Sequence, residues 1–125
     1  MKNFLEKHSE YFYLVFRVIV GALFLLHGVQ KLPGILNGST GLGLIFFAGI
    51  IETVGGALLI LGLLTRYVAL ITAIEMLVAY FTAHFPNGLN PLQNRGEASL
   101  LFFAAFLVLL AFGAGKNALD NWLKH

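Results

Sequence analysis

No cysteine occurs in the chain. That absence removes disulfides, thiolate metal ligation, thiol redox chemistry and cysteine-held iron–sulfur clusters from anything the chain does by itself. Charge is nearly as scarce. Charged residues make up 11% of the 125 positions and hydrophobic residues 58%, whereas a soluble domain carries about 25% charged residues. A one-domain fold in water has too little interior to hide that much apolar surface, so the surrounding solvent must itself be apolar. The formal net charge of +2 is too small for the electrostatic footprint of a nucleic-acid partner. Strict period-two alternation is missing as well, despite abundant Val, Ile and Phe, which argues against a membrane β-barrel.

What is present is a set of long apolar runs. A hydrocarbon core of ~30 Å needs ~20 apolar residues in helical form, and four stretches approach this, at about 11–31, 42–64, 67–85 and 96–113. The first is expected to stop at Pro33-Gly34, the second at Thr65-Arg66, the third at Pro86-Asn87-Gly88 and the fourth at Gly113 and Gly115. The segment Asn37-Gly38-Ser39-Thr40-Gly41 reads as a linker. The connection at Thr65-Arg66 is so short that the second and third helices should form a tight antiparallel hairpin. The expected architecture is all-α: a single transmembrane domain over residues 1–125, built as a four-helix bundle in contact with the lipid bilayer. Lys2, Glu6, Lys7, His8 and Glu10 make the leading segment too polar for a signal-peptide core, so the first helix is expected to stay attached. Lys2, Lys7, Arg66, Lys116 and Lys124 fall on one side of the membrane and only Lys31 and Arg95 on the other. The excess of basic residues is expected to place both termini of this multi-pass chain in the cytoplasm. Trp122, Tyr11 and Tyr13 sit where interfacial aromatics belong.

The ionisable residues inside these spans carry the functional information. A charge at the bilayer centre costs ~2.5–3.5 kcal/mol on insertion scales, so such residues face a bundle interior. At ~100° per residue, Arg17, Phe24, Gly28 and Lys31 share a stripe, with His27 on its flank. Ala48, Gly49, Glu52, Gly55 and Gly56 share a face of the second helix, where small residues admit a close neighbour. Glu75 aligns with Ala79 and Thr82, and Glu97 with Leu101, Ala104 and Val108. Glu52 and Glu75 lie mid-membrane. His27, Lys31, His84, Arg95 and Glu97 lie toward the non-cytoplasmic end, and Arg17 closes the cytoplasmic end. The polar groups therefore outline a site that opens outward.

Each candidate has a plain structural alternative. Arg17 is expected to be a structural ion-pair residue, bridging carboxylates on two helices with its forked donors. Glu52 and Glu75 are the candidate catalytic residues, because mid-membrane carboxyls suit proton exchange, although they could equally fix helix register. His27, Lys31, Asn94 and Glu97 are candidate ligand-binding residues. Asn94 and Glu97 also fit a capping box at the start of the fourth helix, and His84 fits an interfacial position. His27 and His84 could in principle be axial haem ligands, though nothing in their spacing requires it. No metal site is expected.

The run from Arg17-Val-Ile-Val-Gly21 to His27-Gly-Val-Gln-Lys31 resembles the first helix of the DoxX family. Glu52-Thr-Val-Gly55-Gly56 and Gly62-Leu-Leu-Thr-Arg66 resemble its second helix and turn. Glu75-Met76, Asn94-Arg-Gly-Glu97, Gly113-Ala-Gly115 and Leu119-Asp120 follow in the expected order. The resemblance implies a four-helix protein of the bacterial or archaeal cytoplasmic membrane. It is related to the small subunit of a thiosulfate:quinone oxidoreductase, and some members assemble with redox enzymes. It supplies no single reaction, and a fold does not imply one. Three functions compete. The chain is a redox-associated subunit that binds a quinone or similar small molecule in a polar intramembrane pocket, with a membrane or soluble redox enzyme as partner. Alternatively it is a proton-coupled small-molecule carrier, which with four helices would need a homodimer, or a membrane anchor or scaffold for a soluble redox enzyme. Whether it is an enzyme on its own, and which cofactor it uses beyond a quinone, stays open at this level.

Overall fold

The computed structural model describes residues 1–39 and 41–123. Thr40 of the expected linker and Lys124 of the basic count lie outside them. The described residues form an all-α bundle in which α1 (Lys2–Lys7), α2 (Ser9–Leu36), α3 (Leu44–Leu61), α4 (Thr65–Ala79), α5 (Glu97–Phe112) and α6 (Leu119–Leu123) follow in order. After α4 the chain continues as a π-helical stretch, Tyr80–His84, and a 3₁₀ turn, Phe85–Asn87. Three helical segments are long and apolar enough to cross a membrane: Ser9–Leu36, Leu44–Leu61 and Thr65–Asn87. The fourth apolar helix, α5, has 16 residues, about 24 Å at 1.5 Å per residue, short of a full hydrocarbon core. Ile19, Leu23 and Leu26 on α2, Ile50 and Val54 on α3, Leu70 and Ile74 on α4, and Leu101 and Leu107 on α5 all point outward. A continuous apolar exterior of this kind suits lipid and not water.

The helix ends differ from the sequence expectation for local reasons. Pro33 does not stop α2, which runs on to Leu36. A proline this close to the C-terminus forfeits one hydrogen bond, and its own carbonyl still accepts from Asn37 N at 3.1 Å. α3 ends three residues early because Gly62 takes the left-handed conformation at φ +70. Its N–H bonds Leu59 O at 3.1 Å and Leu63 N bonds Leu58 O at 2.9 Å, which is a Schellman cap. α5 begins at Glu97 with Gly96 as its cap residue and no side-chain cap, so Asn94 and Glu97 do not form the expected capping box. Asn94 Oδ1 accepts from Gly96 N at 2.8 Å and thereby shapes the turn before the helix.

Packing pairs α2 with α3 and α4 with α5, while α3 and α4 meet less extensively despite their short connection. The glycines explain the first pair. A Cβ at Gly21 would lie 2.9 Å from Gly56 O, one at Gly56 would lie 2.5 Å from Leu25 N, and one at Gly28 would run into the Thr53 backbone. The two backbones therefore touch along the glycine face. Phe24 joins this pair to α5. It is fully buried, stacks edge-on against Phe106 at 4.8 Å, and closes a core with Leu59, Ala69, Ala73, Met76 and Leu109.

At the end that carries both termini, polar contacts tie the elements together. Arg17 is 2% exposed. Its guanidinium donates to Leu59 O at 2.9 Å, Ala114 O at 2.5 Å, Asn117 O at 3.0 Å and Ile60 O at 3.4 Å. The expected bridge to carboxylates is therefore corrected: the acceptors are backbone carbonyls, two of them, Leu59 O and Ile60 O, in the last turn of α3. A cation at a helix C-terminus also meets the negative end of its dipole. Asp120 accepts from Leu64 N at 2.6 Å and Thr65 N at 2.8 Å, capping α4 from the far end of the sequence. Tyr13, expected to be an interfacial aromatic, instead donates its hydroxyl to Gly113 O.

Replacing Arg17 by Ala removes the guanidinium donors from four carbonyls and leaves Leu59 O with Gly62 N. A loss of about 3 kcal/mol or more is expected, against about 1 kcal/mol or less for Glu75→Gln, whose amide still offers a donor to its neighbours. Melting in detergent checks this, and an Arg17→Ala protein as stable as wild type would contradict it. On the same assay Gly28→Ala should cost about 1–3 kcal/mol through overpacking. Gly43→Ala should cost almost nothing, because a Cβ there meets nothing within 4 Å.

Candidate functional site

The end opposite the termini is built differently. Because α3 leans on α2 and α4 leans on α5, a cavity of about 710 Å³ stays open between the two pairs, within the usual size of small-molecule sites. Its walls are mainly apolar, and six ionisable side chains decide its chemistry: His27 and Lys31 from α2, Glu52 from α3, Glu75 from α4, His84 from the π-helical stretch, and Arg95 from the loop before α5. Leu44, Ile45 and Phe47 of α3 and Ile71, Ile74 and Val78 of α4 line it while remaining 44–62% exposed. The cavity is thus open sideways, between α3 and α4, onto the apolar exterior.

Its base is a charged group. Lys31 Nζ contacts Glu52 Oε1 at 2.9 Å, with the lysine side chain 29% and the glutamate side chain 4% exposed. A second Lys31 N–H reaches His27 O at 3.3 Å. The i, i+4 spacing of His27 and Lys31 makes this possible, since the ammonium folds back one turn. Glu75 comes from α4 and lines the same cavity beside Glu52 and Lys31. No N–H or hydroxyl donor among the described residues reaches either Glu75 oxygen, and both are shielded from water. The neighbouring hydroxyls are already committed: Thr72 donates to Val68 O at 2.7 Å and Thr82 to Val78 O at 2.6 Å. One ammonium and two carboxyls become neutral when the carboxyls hold a single proton between them, the arrangement that a low-dielectric interior tolerates.

Aromatic side chains form the adjoining wall. His27 sits edge-on to Phe102 at 5.4 Å, and Phe102 lies 5.4 Å from Phe24. At the mouth, the extra residue of the π-helical turn alters the facing of the residues that follow. Tyr80 is buried, and its hydroxyl accepts from Asn94 Nδ2 at 3.2 Å. His84 Nδ1 lies 3.3 Å from Asn94 O. Asn94 also donates to Gly88 O at 2.9 Å, so one buried amide fixes the loop that carries Arg95. Arg95 itself is held at φ +65, a left-handed conformation that costs a non-glycine residue about 1 kcal/mol or more.

Of the residues expected from the sequence, Glu52, Glu75, His27 and Lys31 come together at the cavity. Asn94 stands behind the wall as a support for the mouth and does not line it. Glu97 points away, exposed on the same outer face as Leu101, Ala104 and Val108. Arg17 lies at the other end of the bundle. His84 and Arg95, counted among the polar groups of the outward-opening site although His84 also fits an interfacial position, line the cavity, as do Phe24, Phe102 and Ser99. Phe24 was signalled by its place on the stripe from Arg17 to Lys31. Ser99 carried no signal beyond lying off the Glu97 face.

The sequence model of the DoxX family matches residues 12–85. An uncharacterized protein of Haemophilus influenzae is 43% identical over 128 residues, covering 95% of this chain and 96% of that protein. A second uncharacterized protein of the same organism is 39% identical over 67 residues, covering 54% and 44%. A Bacillus subtilis protein named "Putative oxidoreductase CatD" is 30% identical over 126 residues, covering 95% and 92%. No solved structure matches the chain.

The contact between Lys31 and Glu52 predicts strong coupling. Lys31→Met should destabilise the wild-type protein, by stranding a buried carboxylate, and should cost little once Glu52 is Gln. A double-mutant cycle on detergent melting should return an interaction of about 1–3 kcal/mol. Additive effects would show that the pair is not a buried ion pair.

Proposed function

The chain belongs to the DoxX family of multi-pass membrane proteins, and from that premise we propose that it is a redox-associated membrane subunit whose cavity binds a quinone or similar small redox molecule. The observation that carries the reading is the placement of Lys31, Glu52 and Glu75 at the base of a largely apolar cavity. An apolar pocket with a few converging polar groups is the usual form of a small-molecule site. Intramembrane ionisable residues of this kind are costly and are kept where they act. Lys31 and His27 donate hydrogen bonds to a carbonyl or anionic oxygen of the bound molecule. Glu52 and Glu75 pass protons to or from it as its charge changes. The oxidoreductase name of the Bacillus subtilis relative is consistent with this chemistry. Electrons come from, or pass to, a partner redox enzyme.

The basic residues orient the bundle. Lys2, Lys7, Arg66 and Lys116 lie at the termini end and Lys31 and Arg95 at the other, so the termini face the cytoplasm of a cytoplasmic membrane. The mouth with His84 and Arg95 then faces outward, and the gap between α3 and α4 faces lipid.

The test is to purify the protein in mild detergent, extract it with organic solvent and identify co-purified molecules by mass spectrometry, comparing wild type with Glu52→Gln and His27→Ala. A redox-active molecule retained by wild type and reduced at least several-fold in both variants is expected. Bulk lipid alone, equal in all three samples, would contradict the reading.

A further inference from the structure

Taking the cavity as a binding site for a small redox molecule, its hydrogen-bonding capacity is unequal in a way that bears on which redox state it holds. Lys31 has three N–H groups, of which one reaches Glu52 and one reaches His27 O. One donor is left for a ligand. Glu75 offers the opposite. It lines the cavity, both of its oxygens are shielded from water, and neither receives a hydrogen bond from a nitrogen or hydroxyl donor among the described residues. Two carboxyl groups offer several lone-pair sites, and a single proton between them fills only one, so acceptors outnumber donors in this corner. Buried polar groups are rarely left this way, and each instance calls for a missing partner.

A ligand oxygen in this corner meets a donor on one side and an acceptor on the other. A hydroxyl satisfies both, since its lone pair accepts from Lys31 while its O–H, met by a turn of the Glu75 side chain, donates to the carboxyl. A carbonyl oxygen satisfies Lys31 alone and sets its own lone pairs against those of Glu75. An ammonium group would also donate to Glu75, but Lys31, His27, His84 and Arg95 line the same cavity and disfavour a cation.

We infer that the cavity discriminates between the two redox states of its ligand, holding the hydroxyl-bearing, reduced form more tightly than the carbonyl-bearing, oxidised form, with Glu75 as the residue that makes the distinction. A preference of about tenfold or more is expected from one charge-assisted hydrogen bond gained or lost. By linkage, each tenfold preference for the reduced form raises the two-electron potential of the bound couple by about 30 mV relative to the free couple. The site then draws electrons onto its ligand and does not simply store it.

The experiment titrates the purified full chain in detergent, under anaerobic conditions, with duroquinol and separately with duroquinone, following binding by calorimetry. The same titrations are run on Glu75→Leu. Wild type should bind duroquinol at least tenfold more tightly, and Glu75→Leu should bring the two affinities within about twofold by weakening duroquinol binding alone. Equal affinities in wild type, or tighter binding of duroquinone, would overturn the inference while leaving the cavity as a redox-molecule site. A preference that survives in Glu75→Leu would overturn the role of Glu75. Binding of neither form to wild type would overturn both the preference and the functional reading beneath it.

Discussion

The guanidinium of Arg17 is the interaction on which the bundle's geometry depends. An apolar solvent offers no hydrogen bonds, so every polar backbone group at a helix end must be met from inside the protein. α3 stops at a left-handed glycine, and its last carbonyls would otherwise open into the interior. Arg17 meets two of them and, with its remaining donors, holds the carbonyls of Ala114 and Asn117. One side chain thereby ties α2 to the end of α3 and to the segment after α5. Asp120 adds the reciprocal contact, an anion at the start of α4, where the helix dipole favours negative charge.

With that end closed, the other end is free to differ. The glycine face draws α3 onto α2 until the backbones touch, and α3 cannot also close fully on α4. The space between the pairs is therefore a consequence of the packing that stabilises the bundle. Gly21, Gly28 and Gly56 set the width of the cavity although none of them lines it. Phe24 marks the boundary: one side of it is solid core with Phe106 and Leu109, and the other side is the cavity.

Much of this was legible in the sequence where the physics is local. Hydropathy located the apolar helices because a membrane span must be continuously apolar. Helical periodicity placed Arg17, Phe24 and Gly28 on one buried stripe with half-buried Lys31 at its end, and Gly49, Glu52, Gly55 and Gly56 on another. It also brought Glu52, Glu75, His27 and Lys31 to one place. What was not legible depended on partners distant in the chain. Arg17 was expected to seek carboxylates, but its acceptors are carbonyls 42 to 100 residues away, and backbone acceptors leave no mark in a sequence. Asp120 looked like part of a motif and proved to be a cap lying 55 and 56 residues from the N–H groups it accepts. Glu97 shared the depth of the site but not its face, and depth alone cannot separate an inward carboxylate from an outward one. The π-helical turn at Tyr80–His84 changes the register of everything after it, so a 100° wheel could not place His84.

The two ends of the bundle present buried ionisable groups in two conditions, and the contrast carries the functional argument. Arg17 spends four hydrogen bonds on protein carbonyls and needs nothing further. Its burial is explained by the fold it supports. Lys31 secures Glu52, yet among the described residues Glu75 beside it stays without an N–H or hydroxyl donor. A second buried carboxyl adds nothing to the Lys31–Glu52 contact, since a single carboxylate already matches the ammonium. It also carries a desolvation cost that an apolar residue at the same position would avoid. On the proposed function, a group kept at such a cost, in a cavity open to the apolar exterior, is explained by what enters the cavity and not by what surrounds it.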